Sequence, residues 1–434
     1  MNITQFKSVL LYQRERFLQP RELVPREILK HREKIIQSKE IIVISGVRRS
    51  GKSTLLKLLA EAIISENIAD KNDVLYINFE DPKLYNLNLE NCQALYEIFL
   101  EAAGKGKKKY LFFDEIQNVS SWERWLNHLY EFEDVKMFVT GSNSSILNSD
   151  IATLLTGRNR KFELYPFSFS EFLKLKKCTV TDTILPENRA ELRKLFDLFL
   201  TAGGFPEAAK HNDPEILKSY YEDIIYRDII GRNQLTNQRE LLELSKIIAA
   251  TPGMIVSSTK LKNVLGLKSP VTVRNYLQLL TDAYLYYSCS LFDFSIKRQI
   301  YNPPKMYMVD HALSRAVSFQ STDDLGWLLE NIVFLELRRR FTDVNYWKST
   351  KGKEVDFIIR EKSIPPKAFQ ITYTLTNEST KKRKISSLIE ASKVLKIDDL
   401  NLITFNEESV EQVEGARIKI FPVWKWLGEG VGDR

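Results

Sequence analysis

The stretch VISGVRRSGKST (residues 43–54) decides the fold. A glycine, four residues and then Gly-Lys-Ser follow directly on an apolar run. Residues 40–45 (EIIVIS) hold four β-branched residues in a row with no polar break, the pattern of a buried strand. After the loop, TLLKLLAEAII has helical spacing of Leu55, Leu58, Leu59 and Ala62. Strand, glycine-rich loop and helix in that order are the context in which GxxxxGK(S/T) binds a nucleotide triphosphate. Glycine lets the backbone curl until its N–H groups face phosphate oxygens, and the helix N-terminus adds partial positive charge. The expected cradle is Gly46, Val47, Arg48, Arg49, Ser50, Gly51, Lys52, Ser53 and Thr54. Lys52 is expected to reach the β- and γ-phosphates, and Ser53 to offer its hydroxyl to Mg²⁺.

About sixty residues on, KKKYLFFDEIQ sets four apolar residues, Tyr110 to Phe113, before Asp114 and Glu115. Two carboxylates at the end of an apolar strand are costly unless a cation or a reaction uses them. Asp114 is expected to hold Mg²⁺ through water, and Glu115 to orient the attacking water. Two further apolar runs, 73–81 (DVLYINFED) and 135–143 (VKMFVTGSN), complete a parallel sheet with its site at the strand C-termini. Thr140, Ser142 and Asn143 end the second run, where a polar side chain can sense the γ-phosphate. A short apolar helix is expected before Gly157. Arg158 and Arg160 follow that glycine, and Arg158 is the preferred candidate for an arginine supplied across a subunit boundary.

Composition narrows the class. Of 434 residues, 44% are hydrophobic and 27% charged, so each of two to four domains can bury a core. No apolar run approaches the length of a membrane span, and the charged N-terminus lacks a signal-peptide pattern. Cys92, Cys178 and Cys289 are scattered, which fits a reducing cytoplasm better than a disulfide framework or a zinc site. A net charge of +7 permits nucleic-acid binding without requiring it.

VPREI, GVRRSGKST, LFFDEIQNVSSWERWL, VTGSNSSIL, LTGR and YPFSFSEFL occur in an order that resembles prokaryotic AAA+-like ATPases of the archaeal-ATPase and STAND type. The resemblance covers nearly the whole chain and is most specific over residues 40–175. It implies an ATPase core and a C-terminal restriction-endonuclease-like domain. Gly203-Gly204-Phe205-Pro206 is similar to an element that places Pro206 near the nucleotide base in such proteins; spacing alone reads it as a tight loop between helices.

The middle of the chain reads as helices, forming a lid over the nucleotide. Ser269 caps a helix with Pro270 at its first position. Two short helices followed by YLYYSCSL resemble a winged helix that presents Thr272, Arg274 and Asn275, with Lys260, Lys262 and Lys268 nearby.

From about residue 305 the order is a helix (LLENIVFLELRRRF), a hairpin (VNYWKSTKGKEVDFIIRE) and a strand (KAFQITYTL). This order resembles the PD-(D/E)XK nuclease core. The resemblance makes Glu330 the helix acid, Asp356 the metal-binding acid and Gln370 the third ligand. The lysine position holds Thr372, which cannot carry the charge that stabilises the reaction; a lost stabiliser of that kind costs a few kcal/mol of barrier. Lys351, Lys353 and Lys367 are the candidates to replace it. Lys381, Lys382, Arg383 and Lys384 form a basic cluster beside the site.

The sequence thus points to an α/β chain: an N-terminal helical segment (1–39), a P-loop AAA+-like core (40–165), a helical lid (166–235), a winged-helix-like domain (236–304) and a nuclease-like domain without a complete active site (305–434). The expected activity is ATP binding and hydrolysis with Mg²⁺ in the cytoplasm, acting on or regulated by DNA or a protein partner, with homo-oligomer assembly open and no membrane association. An ATP-regulated DNA nuclease and a slow ATP switch without nuclease activity are the alternatives.

Overall fold

The computed structural model describes residues 3–428 except 86, 145–154, 156, 181–182, 184, 236 and 319–324. The chain forms two compact units, Met1–Tyr165 and Pro166–Arg434.

Unit 1 is built on five parallel strands: β1 (Ile41–Ser45), β2 (Val74–Asn78), β3 (Lys109–Asp114), β4 (Val135–Gly141) and β5 (Asn159–Glu163). Their order is β2-β3-β4-β1-β5. Alternation along each strand feeds two cores. Ile41, Val43, Leu75, Ile77, Leu111, Phe113, Met137 and Val139 pack on one face. Ile42, Ile44, Val74, Tyr76, Tyr110, Phe112 and Phe138 pack on the other, against Leu55, Leu56, Leu59 and Ile63 of the helix Lys52–Ser65. Both faces are covered, which is why these strands are apolar throughout. The sequence reading did not identify β5. Its residues, NRKFE, form a charged edge whose side chains are half-buried or exposed, so no apolar run marks it. The N-terminal helix Ile3–Leu18 is integral to the unit: Phe6, Val9 and Leu10 enter the first core and Phe17 the second.

Unit 2 begins with helices, among them Pro186–Ala202, Pro206–His211 and Gln238–Ala250. Helices Ser258–Val264 and Pro270–Asp282 lead into a mixed sheet of β6 (Tyr286–Leu291), β7 (Lys305–Met308), β8 (Val344–Lys348), β9 (Glu354–Ile359), β10 (Lys367–Ile371), β11 (Asp399–Thr404), β12 (Ser409–Val413) and β13 (Ala416–Pro422). Its order is β12-β13-β11-β10-β9-β8-β6-β7. The sheet runs through the expected boundary at 304/305: β6 pairs antiparallel with β7 and parallel with β8. Helices Gly326–Arg340 and Glu378–Leu395 supply the acidic and basic side chains considered below. Among the described residues, no helix is long and apolar enough to cross a membrane.

Candidate nucleotide site

The loop after β1 packs tightly against its own sheet. Gly46 has φ +144°, and a Cβ there would lie 2.3 Å from the Leu164 carbonyl oxygen, so only glycine fits. Gly51, at φ +97°, turns the chain into the helix Lys52–Ser65. Arg26 braces the loop from outside: its buried guanidinium donates to the carbonyls of Ser50 (2.8 Å) and Tyr165 (2.6 Å). It lies in the VPREI stretch, and isolated charge gave no local signal for that role.

Lys52 is buried. Its ammonium donates to Gly46 O (3.0 Å) and Val47 O (3.1 Å) and stands 3.8 Å from a Glu115 carboxylate oxygen. Arg48 pairs with Glu80 at 3.1 Å. The order of the strands brings the rest together. β4 lies between β1 and β3, so its Thr140 reaches the acids at the end of β3. The Thr140 hydroxyl donates to Asp114 Oδ1 and accepts from the Glu115 N–H at 3.0 Å. Asp114 also accepts from the Tyr76 hydroxyl at 2.9 Å. Burial and then the neighbouring Glu115 push the Asp114 carboxyl up, against the pull of Ser53, Thr140 and Tyr76. Burial would also raise Glu115, but Lys52, Gln117 and Arg48 outweigh it and hold this carboxyl below its ordinary value. Glu115 sits at φ +53°, a left-handed conformation uncommon for a non-glycine residue.

These residues fit a nucleotide with Mg²⁺. Ser53 and Asp114, the two expected metal residues, are near enough that Ser53 draws the Asp114 carboxyl down. The Ser50 hydroxyl is buried without a partner among the described residues, and the loop opens at the N-terminus of a 14-residue helix. Tyr76 was missed in the sequence because a tyrosine in an apolar strand looks like core; it is core as well, its ring stacked on Phe17 at 3.9 Å between centroids.

Arg158 is not at this site. It precedes β5, beside Ile41 at the start of β1, so it occupies the end of the sheet opposite the loop. Its guanidinium donates to Asn127, pairs with Glu131 at 2.7 Å and lies over the Tyr130 ring. From there it cannot serve the nucleotide site of its own chain. The apolar helix expected before Gly157 lies outside the described residues. Pro206 belongs to unit 2, where it starts the helix Pro206–His211. The preceding Gly204 donates its N–H to Asp310 and accepts from the Phe167 N–H, each at 2.6 Å.

In unit 2, Lys305 joins Glu330 and Asp356, and Gln370 bonds the Asp356 backbone N–H. The Lys305 ammonium lies 3.2 Å from Glu330, 2.8 Å from Glu354 and 3.8 Å from Asp356. Of the lysines expected to replace Thr372, Lys367 pairs with Asp399 and Lys353 with Glu390. Lys384, from the basic cluster, turns inward to Asp356 at 2.9 Å.

Over 410 residues the chain is 38% identical to uncharacterized protein MJ1544 of Methanocaldococcus jannaschii, covering 91% of this chain and 89% of that one. The chain belongs to that family. An uncharacterized protein of Haemophilus influenzae is 31% identical over 407 residues, covering 91% of this chain and 96% of its own. An AAA domain model matches residues 38–173. Family models described as domains of unknown function match 193–324 (DUF8612) and 325–426 (DUF4143). Among solved structures, the Aeropyrum pernix Orc1 protein in complex with DNA is 14% identical, with 70% of this chain and 95% of that one covered and a TM-score of 0.29. The AAA match, with the five-stranded parallel sheet, makes unit 1 of this family member an AAA+-type P-loop domain.

Proposed function

We propose that the chain is a Mg²⁺-dependent ATPase of the cytoplasm whose turnover changes how unit 2 engages a DNA or protein partner. The observation that carries this reading is the meeting of Lys52, Ser53, Asp114, Glu115 and Thr140 at the C-terminal ends of β1, β3 and β4. Lys52 exchanges the carbonyls of Gly46 and Val47 for phosphate oxygens. Ser53 and Asp114 would hold Mg²⁺, which when bound spreads positive charge over the β- and γ-phosphates. Glu115, kept ionised beside Lys52, orients the attacking water, and Thr140 holds both acids in register.

For a DNA partner, support comes from the helices Ser258–Val264 and Pro270–Asp282, which leave Lys260, Lys268, Arg274 and Asn275 exposed. Lys52→Ala is expected to abolish ATP binding, and Glu115→Gln to keep binding while stopping turnover. Parental hydrolysis rates in both variants would show the site to be misassigned. Turnover measured with and without single- and double-stranded DNA, at two salt concentrations, tests the partner: stimulation that fades with salt identifies phosphate contacts.

A further inference from the structure

We propose that the acidic pocket of unit 2 is a metal-independent site in which the Lys305 ammonium is the resident cation. This deepens the reading of unit 2 as nuclease-like and is independent of the nucleotide site. The resemblance implies Mg²⁺ held by Glu330, Asp356 and Gln370, and the side chains in place do not fit that ion.

Gln370 offers no ligand. Its amide oxygen accepts from the Asp356 N–H at 3.1 Å and its amide nitrogen donates to the Glu354 carbonyl at 3.3 Å, so both ends clamp the backbone of β9. Glu330 Oε1 accepts from the Tyr307 hydroxyl at 2.7 Å as well as from Lys305. Asp356 Oδ2 accepts from the Ile371 N–H at 2.8 Å and from Lys384 at 2.9 Å. Its Oδ1 faces Lys305.

One ammonium therefore stands within 4 Å of three carboxylates. A hard divalent ion binds oxygen at about 2.0–2.6 Å, so the same oxygens cannot close on it while Lys305 stays. Lys305 is itself buried and comes from β7. The three carboxylates around it compensate the cost of burying that charge. Lys384 gives Asp356 a second cationic partner at 2.9 Å. The two lysines come from β7 and the helix Glu378–Leu395, not from the strand position occupied by Thr372. That threonine donates instead to the Thr374 carbonyl. The pocket is accessible: a cleft of about 590 Å³ between Met254, Ile255, Leu261 and Val264 opens onto Lys305 and Glu354. An ion from solvent can thus reach Glu354 and, if the ammonium is removed, the space Lys305 leaves.

The test is a Mn²⁺ titration of the full chain without nucleotide, read by electron paramagnetic resonance, with thermal melts to verify folding. The parent is expected to show no Mn²⁺ site that Asp356→Asn removes. Lys305→Ala is expected to gain one site, at least about tenfold tighter than any such parental binding, and to lose it when Asp356→Asn is added. Lys305→Arg, which keeps the cation, is expected to gain none. An Asp356-dependent Mn²⁺ site in the parent, or a folded Lys305→Ala chain with no gained site, would overturn the proposal. So would Mg²⁺-dependent cutting of single-stranded or plasmid DNA by the parent that Asp356→Asn abolishes. If Lys305→Ala does not fold, Lys305→Gln carries the same comparison. If neither folds, the parental titration with and without Asp356→Asn decides by itself.

Discussion

Replacing Tyr76 with phenylalanine isolates one hydrogen bond of the nucleotide site. The ring and its stack on Phe17 remain, and only the hydroxyl that donates to Asp114 at 2.9 Å is lost. Asp114 is 1% exposed, so water does not readily take the vacant position. A hydrogen bond to a charged group contributes about 1.5–3 kcal/mol, and each 1.4 kcal/mol is about tenfold in an equilibrium constant. Thr140 still holds the carboxylate, so the acid is loosened and not released. Groups behind a metal ligand typically change metal affinity by about 10–100-fold, which matches that arithmetic. The expected result for Tyr76→Phe is a rise of about 10–100-fold in the Mg²⁺ concentration giving half-maximal ATP turnover, with Mg²⁺-free nucleotide binding close to the parent's and a melting temperature lower by a few degrees. The assay is steady-state phosphate release over a Mg²⁺ series at fixed ATP. A parental Mg²⁺ dependence in a folded Tyr76→Phe chain would refute the role given to this hydroxyl.

Gly46→Ala forces a Cβ to within 2.3 Å of the Leu164 carbonyl in a conformation that disfavours side chains; the expected cost is about 1–3 kcal/mol of stability with loss of ATP binding, read by thermal melts with and without ATP. Arg158→Ala removes a half-exposed pair with Glu131, so stability should fall by no more than about 1 kcal/mol and ATP affinity should not change. If neighbouring copies share the arginine, turnover of Arg158→Ala drops and is restored by mixing with Lys52→Ala chains; parental turnover in the single variant rules the role out. Asp399 is flanked by Lys367 at 2.9 Å and Lys419 at 3.0 Å, which outweigh its burial and hold its carboxyl below the ordinary range. As pH falls from about 4, the unfolded chain takes up this proton before the folded chain does, so stability is lost through that window. Asp399→Asn should flatten that acid limb in urea unfolding measured between pH 7 and pH 3.

Local rules made the nucleotide loop legible. The β-branched run, the glycines, Lys52 and the leucine spacing after it each describe neighbours in the chain, and strand, loop and helix follow from neighbours alone. The same holds for Asp114 and Glu115 at the end of an apolar strand. Pairing of distant segments is not a local property. Nothing near Thr140 states that β4 inserts between β1 and β3, yet that insertion turns a polar strand end into the clamp on both acids. Nothing near Tyr76 or Arg26 distinguishes core tyrosine or surface arginine from a brace on the site. Thr372 showed that the expected lysine was absent, but whether another cation reached Asp356 depended on which strand and helix lie beside β9. Residue type determined which chemistry was available. The sheet order decided which charges meet, because an ion pair needs its atoms within a few ångströms and only packing brings Lys305, 51 positions before Asp356 in the chain, that close.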